Sequence, residues 1–311
     1  MPGDASFRSY AQNREDVVLW RALGDVPAGR YVEVGANHPK DDSATRAFYD
    51  HGWSGITVEP MRDFAAAHRA ERPRDTMVEA VITDADVTSV VLHEIPGTGL
   101  STVVDQIGRQ HADGGQNVVD RTVPAHTLTA VLEANGGLDQ EVHFLLVDTE
   151  GAEQQVLASV DLTVFRPWVL VIESTAPNSA EQTHGAWEPA VLAAGYEFCL
   201  FDGLSRFYVA AEHAERLRDR LSYPACALDP FVDARAYDVW LDREQTLADL
   251  RRWRAEALAH WAVAGQPGAG PGEPDGQALA AARAEIAALR ASTSWRVTRP
   301  LRVVSSRLGR R

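Results

Sequence analysis

The chain has 311 residues and a formal net charge of −14, with 45% hydrophobic and 24% charged residues. This composition excludes a largely disordered protein and a collagen-like repeat, and the length suffices for one large domain or two small ones. No stretch approaches the roughly 18 apolar residues of a membrane-spanning helix, and no basic segment followed by an apolar one indicates a secretory signal. The two cysteines are too few for a disulfide framework or a zinc site. We therefore expect a cytoplasmic protein.

Charge is distributed unevenly along the chain. Residues 277–311 contain eight arginines and a single acidic residue, Glu285, so the rest of the chain is strongly acidic. An acidic body repels a phosphate backbone. We therefore expect no nucleic-acid binding by the main domain.

Short apolar runs alternate with helical patterns, which is typical of an α/β protein with a parallel sheet. Strands are predicted at 30–34, 55–59, 76–82, 87–93, 142–148, 168–173, 196–201 and 205–210. Helices are predicted at 13–23, 43–51, 62–72, 127–134, 151–159 and 186–194. Residues 97–123 are polar and rich in glycine, and we predict a long loop there, of the kind that often covers a binding site.

The sequence changes in character near residue 241. Leu250, Trp253 and Leu258 recur at helical spacing and predict an amphipathic helix, and a segment rich in glycine and proline follows it. The predicted parts are a main domain at 1–240, the amphipathic helix at 241–262, a flexible linker at 263–276 and a basic helical tail at 277–311.

The end of the basic tail has two interpretations. Its arginines alternate with apolar residues such as Trp295 and Leu301, and such a surface suits anionic lipid headgroups or an acidic partner. Residues 292–311 would then hold the protein peripherally at the inner membrane face. In the other interpretation, the arginines only increase solubility.

A cofactor site is indicated by acidic residues that follow the first predicted strands. Glu33 lies at the end of the strand 30–34 and Gly35 follows it, as in a Rossmann-like sheet, where ligands bind beyond the carboxyl ends of the strands. A single glycine in place of G-x-G-x-x-G favours a cofactor without a pyrophosphate, such as S-adenosylmethionine. Glu59 ends the second strand, within reach of both ribose hydroxyls, and Asp84 follows the third strand, where it could meet the adenine edge.

A second acidic motif follows the strand 142–148. Asp148 ends that strand and faces the expected position of methyl transfer, and Glu150 opens the next helix. Proton removal from an acceptor needs a base with a pKa near neutrality. The candidates are Asp148 itself, Glu150, and His184 in the loop after the fifth strand, with His38 as a further alternative. Asp148, Glu150 and Glu173 could also bind Mg²⁺ through their oxygens, and the sequence leaves metal dependence open.

The motifs together resemble the FkbM-type S-adenosylmethionine-dependent methyltransferases. The resembling segments over residues 6–235 include Val32-Glu-Val-Gly-Ala-Asn37, Ser43-x-Thr45, Val58-Glu-Pro60, Leu146-Val-Asp-x-Glu-Gly-Ala-Glu153 and Phe201-Asp-Gly-Leu-Ser-Arg-Phe-Tyr208. The last segment is similar to a subgroup found in polysaccharide and glycoside pathways. Two positions depart from the family pattern, since Glu33 stands where aspartate is common and Ser205 stands where asparagine is usual.

The resemblance implies a Rossmann-like class I methyltransferase with a mostly parallel seven-stranded sheet, here extended by C-terminal helices. It implies O-methylation, and we expect the acceptor to be a sugar hydroxyl of a saccharide or glycosylated metabolite. The expected cofactor-site residues are Glu33, Gly35, Ala36, Asn37, Ser43, Glu59, Pro60, Asp84 and Asp148. Two alternatives stay open: a nicotinamide-linked oxidoreductase on the same fold, and a non-catalytic scaffold in a polysaccharide assembly complex.

Overall fold

The computed structural model describes residues 7–264 and 276–291. The chain divides into two units after Asp238. The first unit contains every strand described, and the second consists of the helical residues that follow. The tail segment 292–311 and most of the predicted linker 263–276 lie outside the described residues.

The elements alternate along the first unit. The strands are β1 (Phe7–Ser9), β2 (Arg30–Val34), β3 (Ser54–Val58), β4 (Thr76–Val78), β5 (Val81–Ile82), β6 (Ser89–Glu94), β7 (Val119–His126), β8 (Phe144–Val147), β9 (Val169–Glu173), β10 (Tyr196–Phe201), β11 (Ser205–Ala210) and β12 (Phe231–Asp233). The helices are α1 (Glu15–Leu23), α2 (Arg46–Asp50), α3 (Arg62–Glu71), α4 (Asp105–Asp113), α5 (Leu128–Ala134), α6 (Glu153–Ala158), α7 (Glu188–Ala193), α8 (Ala214–Leu221), α9 (Ala234–Ala264) and α10 (Gly276–Ala291).

Seven strands form one sheet in the order β10-β11-β9-β8-β2-β3-β4. The five neighbouring strands β9, β8, β2, β3 and β4 are parallel. At one edge of the sheet, β11 pairs antiparallel with β9, and β10 pairs antiparallel with β11. Val34 pairs with both Val58 and Val147, so the carboxyl ends of β2, β3 and β8 are level. The predicted Rossmann-like fold with a mostly parallel seven-stranded sheet is confirmed.

Helices cover both faces of this sheet. Leu145 and Val147 of β8 pack with residues of α5, α6 and α7, whereas Phe144 and Leu146 of the same strand pack with residues of α1, α2 and α8. Because alternate side chains of a strand point to opposite faces, a central strand of a covered sheet is apolar throughout. This explains why β8 and β9 are continuous apolar runs in the sequence.

Two predicted segments differ from the structure. The predicted loop 97–123 contains α4 and the first part of β7. Among the residues of α4, only Gly108 and His111 are buried, so the helix has almost no apolar face that a sequence pattern could indicate. The predicted strand 76–82 is two strands, because β4 ends the large sheet and β5 pairs with β7 in a separate three-stranded sheet.

Helix α9 begins in the first unit and continues into the second. Beyond Asp238 it carries exposed apolar side chains, including Leu250, Trp253 and Trp261. Within the described parts of the chain, no helix combines the length and apolar character that crossing a membrane requires.

Candidate functional site

A cavity of about 740 Å³ lies at the carboxyl ends of β2, β3, β8 and β9. This is where an open parallel sheet binds its ligands, and the volume lies within the roughly 300–1,000 Å³ of small-molecule sites. The predicted site residues that line it are Glu33, Gly35, Ala36, Asn37, Glu59, Pro60, Asp148, Glu150 and Glu173.

The turn after β2 forms the floor of the cavity. Gly35 has a φ of +86° and Asn37 a φ of +48°, a conformation that glycine and asparagine tolerate best. The N–H groups of Gly35 and Ala36 both donate to the carbonyl of Val58 at 3.0 Å. The turn therefore crosses the end of β3 and brings Asn37 next to the residue that follows this strand.

That residue is Glu59, whose two carboxylate oxygens hold the surrounding backbone. Oε2 accepts from the Asn37 N–H at 2.8 Å and Oε1 accepts from the Met61 N–H at 2.7 Å. Burial raises the pKa of Glu59 to about 7, although both backbone hydrogen bonds oppose this. Glu59 thus has a fixed position at the cavity, and each of its oxygens has a further lone pair for a ligand hydroxyl.

Glu33 connects the cavity to a buried polar cluster. Its Oε2 accepts from Thr45 Oγ1 at 2.6 Å, and Thr45 Oγ1 accepts in turn from the guanidinium of Arg72 at 2.8 Å. Arg72 is fully buried and also pairs with Asp75 at 2.8 Å. Burial raises the pKa of Glu33 to about 7, while the Arg72 charge and the Thr45 hydrogen bond lower it.

Two residues predicted at the cofactor do not line the cavity. Ser43 lies in the same buried polar cluster, where its hydroxyl accepts from Arg72 and from the Arg46 N–H, both at 3.2 Å. Asp84 is exposed in the loop after β5. It does not line the cavity, which meets this part of the chain at Val81 of β5, three residues earlier.

Three carboxyl groups meet on the other side of the cavity. Asp148, Glu150 and Glu173 each offer an oxygen within 4.8 Å of the other two; Asp148 follows β8, and Glu173 ends the adjacent parallel strand β9. Burial raises the pKa of Asp148. Burial and then the Asp148 charge raise the pKa of Glu150 to about 8, and the same causes raise that of Glu173 still further. We call these three side chains the acidic triad.

The loop that carries Glu150 is held by a buried side chain. Glu153 Oε1 accepts from the Thr149 N–H and the Gly151 N–H, both at 3.1 Å, and from Thr149 Oγ1 at 3.0 Å. Thr102 Oγ1 donates to the Glu150 carbonyl at 2.9 Å. Glu153 is therefore a positioning residue for the triad, and the segment before α4 packs on the same loop.

His184 does not line the cavity. It lies in a short 3₁₀ turn, with Nε2 3.7 Å from Glu188 Oε2. The loop after β9 folds back on itself, since Thr183 N–H donates to the Ser174 carbonyl at 2.8 Å, and this turns His184 away. His38 Nδ1 accepts from the N–H groups of Lys40 and Asp41 at 3.2 and 2.9 Å, so that nitrogen is occupied within its own turn.

The cavity also has walls that the sequence analysis did not assign to the site. Glu15, at the start of α1, is buried, and burial and the Asp202 charge raise its pKa to about 8. Further lining residues of this group include Thr98, Gly99, Leu100, Ser101, Thr175, Asn178, Ser179, Ser205 and Arg235. The sequence signal for Glu15 is the acidic pair Glu15-Asp16 at the start of an apolar helix. The spacing of residues along the chain, however, does not give the distance of this pair from the ends of the strands.

Comparison with solved structures gives weak similarity. A TehB-like SAM-dependent methyltransferase from Corynebacterium glutamicum aligns with a TM-score of 0.34 and 9% identity, covering 63% of this chain and 86% of that one. An O-methyltransferase from Bacillus cereus in complex with SAH aligns with a TM-score of 0.35 and 11% identity, covering 65% and 82%. At these scores neither similarity carries weight for the function.

Sequence comparison identifies the family. No curated protein matches the chain significantly. The model of the methyltransferase FkbM domain, however, matches residues 33–198, more than half of the chain. The match begins at Glu33 and includes Glu59 and the acidic triad. The chain therefore belongs to the FkbM methyltransferase family.

Proposed function

We propose that the protein is an S-adenosylmethionine-dependent O-methyltransferase whose acceptor is a hydroxyl group of a saccharide or glycosylated small molecule. The proposal rests on one observation: a single cavity has acidic residues on two opposite sides. Glu59 and the turn at Gly35 lie on one side, and the acidic triad lies on the other. Such a cavity has room for a nucleoside cofactor and an acceptor together.

The side formed by β2 and β3 fits the cofactor. Glu59 is held by two backbone N–H groups and can accept hydrogen bonds from a ribose diol. The Asn37 Oδ1 atom is buried with no hydrogen-bond partner among the described residues, which suits a donor of the ligand. S-adenosylmethionine supplies a methyl group on a positively charged sulfur, and the acidic lining favours that charge.

The triad fits the acceptor side. When the acceptor oxygen takes up the methyl group, its O–H bond breaks, the proton passes to a carboxylate, and the sulfonium becomes a neutral thioether. We assign Asp148 as the proton acceptor, because it directly follows the central strand β8 beside the Gly35 turn. Burial raises its pKa, which makes its carboxylate a stronger base.

The remaining walls favour a hydroxylated acceptor. The residues that line the cavity include Ser101, Thr175, Asn178, Ser179 and Ser205. Such neutral polar groups both donate and accept hydrogen bonds, as an acceptor with several hydroxyls requires. The sequence resemblance to a polysaccharide and glycoside subgroup points to the same class.

The test is transfer of isotopically labelled methyl groups from S-adenosylmethionine to a panel of glycosides, amines and carboxylic acids. We expect label on glycosides, and loss of the signal with a deoxy analogue that lacks the accepting hydroxyl. The product should withstand mild base, because a methyl ether does not hydrolyse under conditions that cleave a methyl ester.

Two outcomes would contradict this proposal. Label that appears only on amines or on base-labile esters would assign a different acceptor chemistry. Tight binding of NAD⁺, with no binding of S-adenosylhomocysteine, would favour an oxidoreductase on the same fold.

A further inference from the structure

We propose that the acidic triad of Asp148, Glu150 and Glu173 binds one divalent cation of the Mg²⁺ or Mn²⁺ type beside the acceptor. Each side chain brings one oxygen to within 4.8 Å of the other two. Oxygens bound to a single ion at about 2.0–2.6 Å lie within about 5 Å of one another. The spacing of the triad therefore suits a shared ion without movement of the strands.

A second observation points to a ligand at this place. Glu173 is only 6% exposed, lines the cavity, and has an Oε2 atom with no hydrogen-bond partner among the described residues. The Oε2 atom of Glu150 is buried and unpartnered in the same way. Buried carboxylate oxygens in proteins are normally paired with donors or bound to metal ions.

The cavity offers the triad no protein cation. Among its described lining residues Arg235 is the one basic side chain, and it forms an ion pair with Asp42 at 2.6 Å. The neighbouring carboxyl group of Glu153 is occupied by the Thr149 and Gly151 donors. The described lining residues therefore supply no free positive charge to the triad, and a bound cation would supply it.

An ion here would also contact the acceptor, an inference that rests on the proposed function. Mg²⁺ is commonly held by one or two carboxylates together with water and substrate oxygens, so three carboxylate oxygens leave positions open. Two neighbouring hydroxyls of a saccharide fit those positions. A bound hydroxyl becomes more acidic, and a weaker base then suffices for its proton.

Direct metal binding tests the proposal without an activity assay. Full-length protein is freed of metal with a chelator and titrated with Mn²⁺, while the free ion is followed by electron paramagnetic resonance. We expect one Mn²⁺ bound per chain and displaced by excess Mg²⁺. In Glu173→Gln the affinity should fall by about tenfold or more, a loss that even indirect partners of metal ions cause.

Glu59→Gln is the matched control, because Glu59 is another buried carboxyl group of the same cavity outside the triad. It should keep the Mn²⁺ affinity and lose S-adenosylhomocysteine binding, whereas Glu173→Gln should do the reverse. Failure of the cation site and failure of the proposed cofactor site are thus separate results. Melting temperatures show whether Glu173→Gln is folded, and added Mn²⁺ should stabilise the wild type and Glu59→Gln more than Glu173→Gln.

Two results would overturn the cation site. One is the absence of stoichiometric Mn²⁺ binding with and without S-adenosylhomocysteine. The other is Mn²⁺ binding that is equally strong in a folded Glu173→Gln protein. In either case, bound protons or a cationic group of the acceptor would balance the negative charge of the triad.

Discussion

Gly35 and Asp148 lie so close together that a Cβ atom on Gly35 would be 1.6 Å from the carbonyl oxygen of Asp148. The two residues directly follow the adjacent parallel strands β2 and β8, and the Asp148 N–H donates to the Val34 carbonyl at 3.0 Å. One close approach thus joins the proposed cofactor turn to the proposed proton acceptor.

Gly35→Ala should therefore abolish S-adenosylhomocysteine binding and lower the melting temperature. The positive φ alone costs about 1–3 kcal/mol for a residue with a side chain, and the contact with Asp148 forces the strand ends apart in addition. Gly115→Ala is a matched control, since Gly115 has the same φ of +86° with no atom within 4 Å of an added Cβ. Equal effects of the two substitutions would show that backbone strain, and not the close approach, is responsible.

Asp148→Asn should reduce methyl transfer far more than cofactor binding. Loss of a positioned general base typically lowers turnover by about 10²–10⁴-fold, whereas the Glu59 side of the cavity stays intact. Steady-state kinetics and calorimetric titration with S-adenosylhomocysteine give the two quantities. Asp86→Asn, an exposed substitution, should leave both unchanged. Full turnover in Asp148→Asn would contradict the assignment of Asp148.

Arg72→Met should destabilise the fold strongly. The Arg72 guanidinium is fully buried and binds Asp75, Tyr31 and Thr45. Its removal leaves buried acids unpaired, which costs about 3–5 kcal/mol. The matched substitution Arg69→Met breaks a half-exposed pair with Glu79 and should cost at most about 1 kcal/mol. Urea denaturation measures both, and a small effect at Arg72 would contradict the structural role of this cluster.

The ligand-free protein should lose stability as the pH rises. Burial raises the pKa of Glu15 from an ordinary value of 4.5 to about 8, so the folded form binds this proton more tightly than the unfolded chain. The resulting stabilisation is complete below pH 4.5 and is lost as the pH rises through 8. In Glu15→Gln the melting temperature should fall less steeply over this window. The exposed substitution Glu133→Gln should keep the wild-type slope, and an unchanged slope in Glu15→Gln would contradict the prediction.

The local sequence pattern was sufficient to predict the parallel strands of the large sheet and most residues on the proposed cofactor side of the cavity. The strands β8 and β9 are apolar throughout because both faces are covered, and parallel strands bring the residues after them to one edge. Glu33, Glu59 and Asp148 could therefore be placed together from their positions at the ends of predicted strands.

Other parts of the site depend on how loops fold, which spacing does not determine. Glu15 reaches the cavity only because α1 packs on the sheet, and Thr98–Ser101 reach it through the contact between Thr102 and the Glu150 carbonyl. His184 was predicted over the acceptor, but hydrogen bonds within its loop turn it toward Glu188. Asp84 was predicted at the adenine, but the chain meets the cavity at Val81 of β5, and Asp84 is exposed in the loop beyond that strand.

The central claim is that Glu59 and the Gly35 turn bind S-adenosylmethionine. Calorimetric titration of the full-length wild type and Glu59→Gln with S-adenosylhomocysteine tests it most directly. We predict one molecule bound per wild-type chain with micromolar affinity, and no measurable binding to a Glu59→Gln protein that retains its fold. Equal binding by both proteins, or none by the wild type, would contradict the claim.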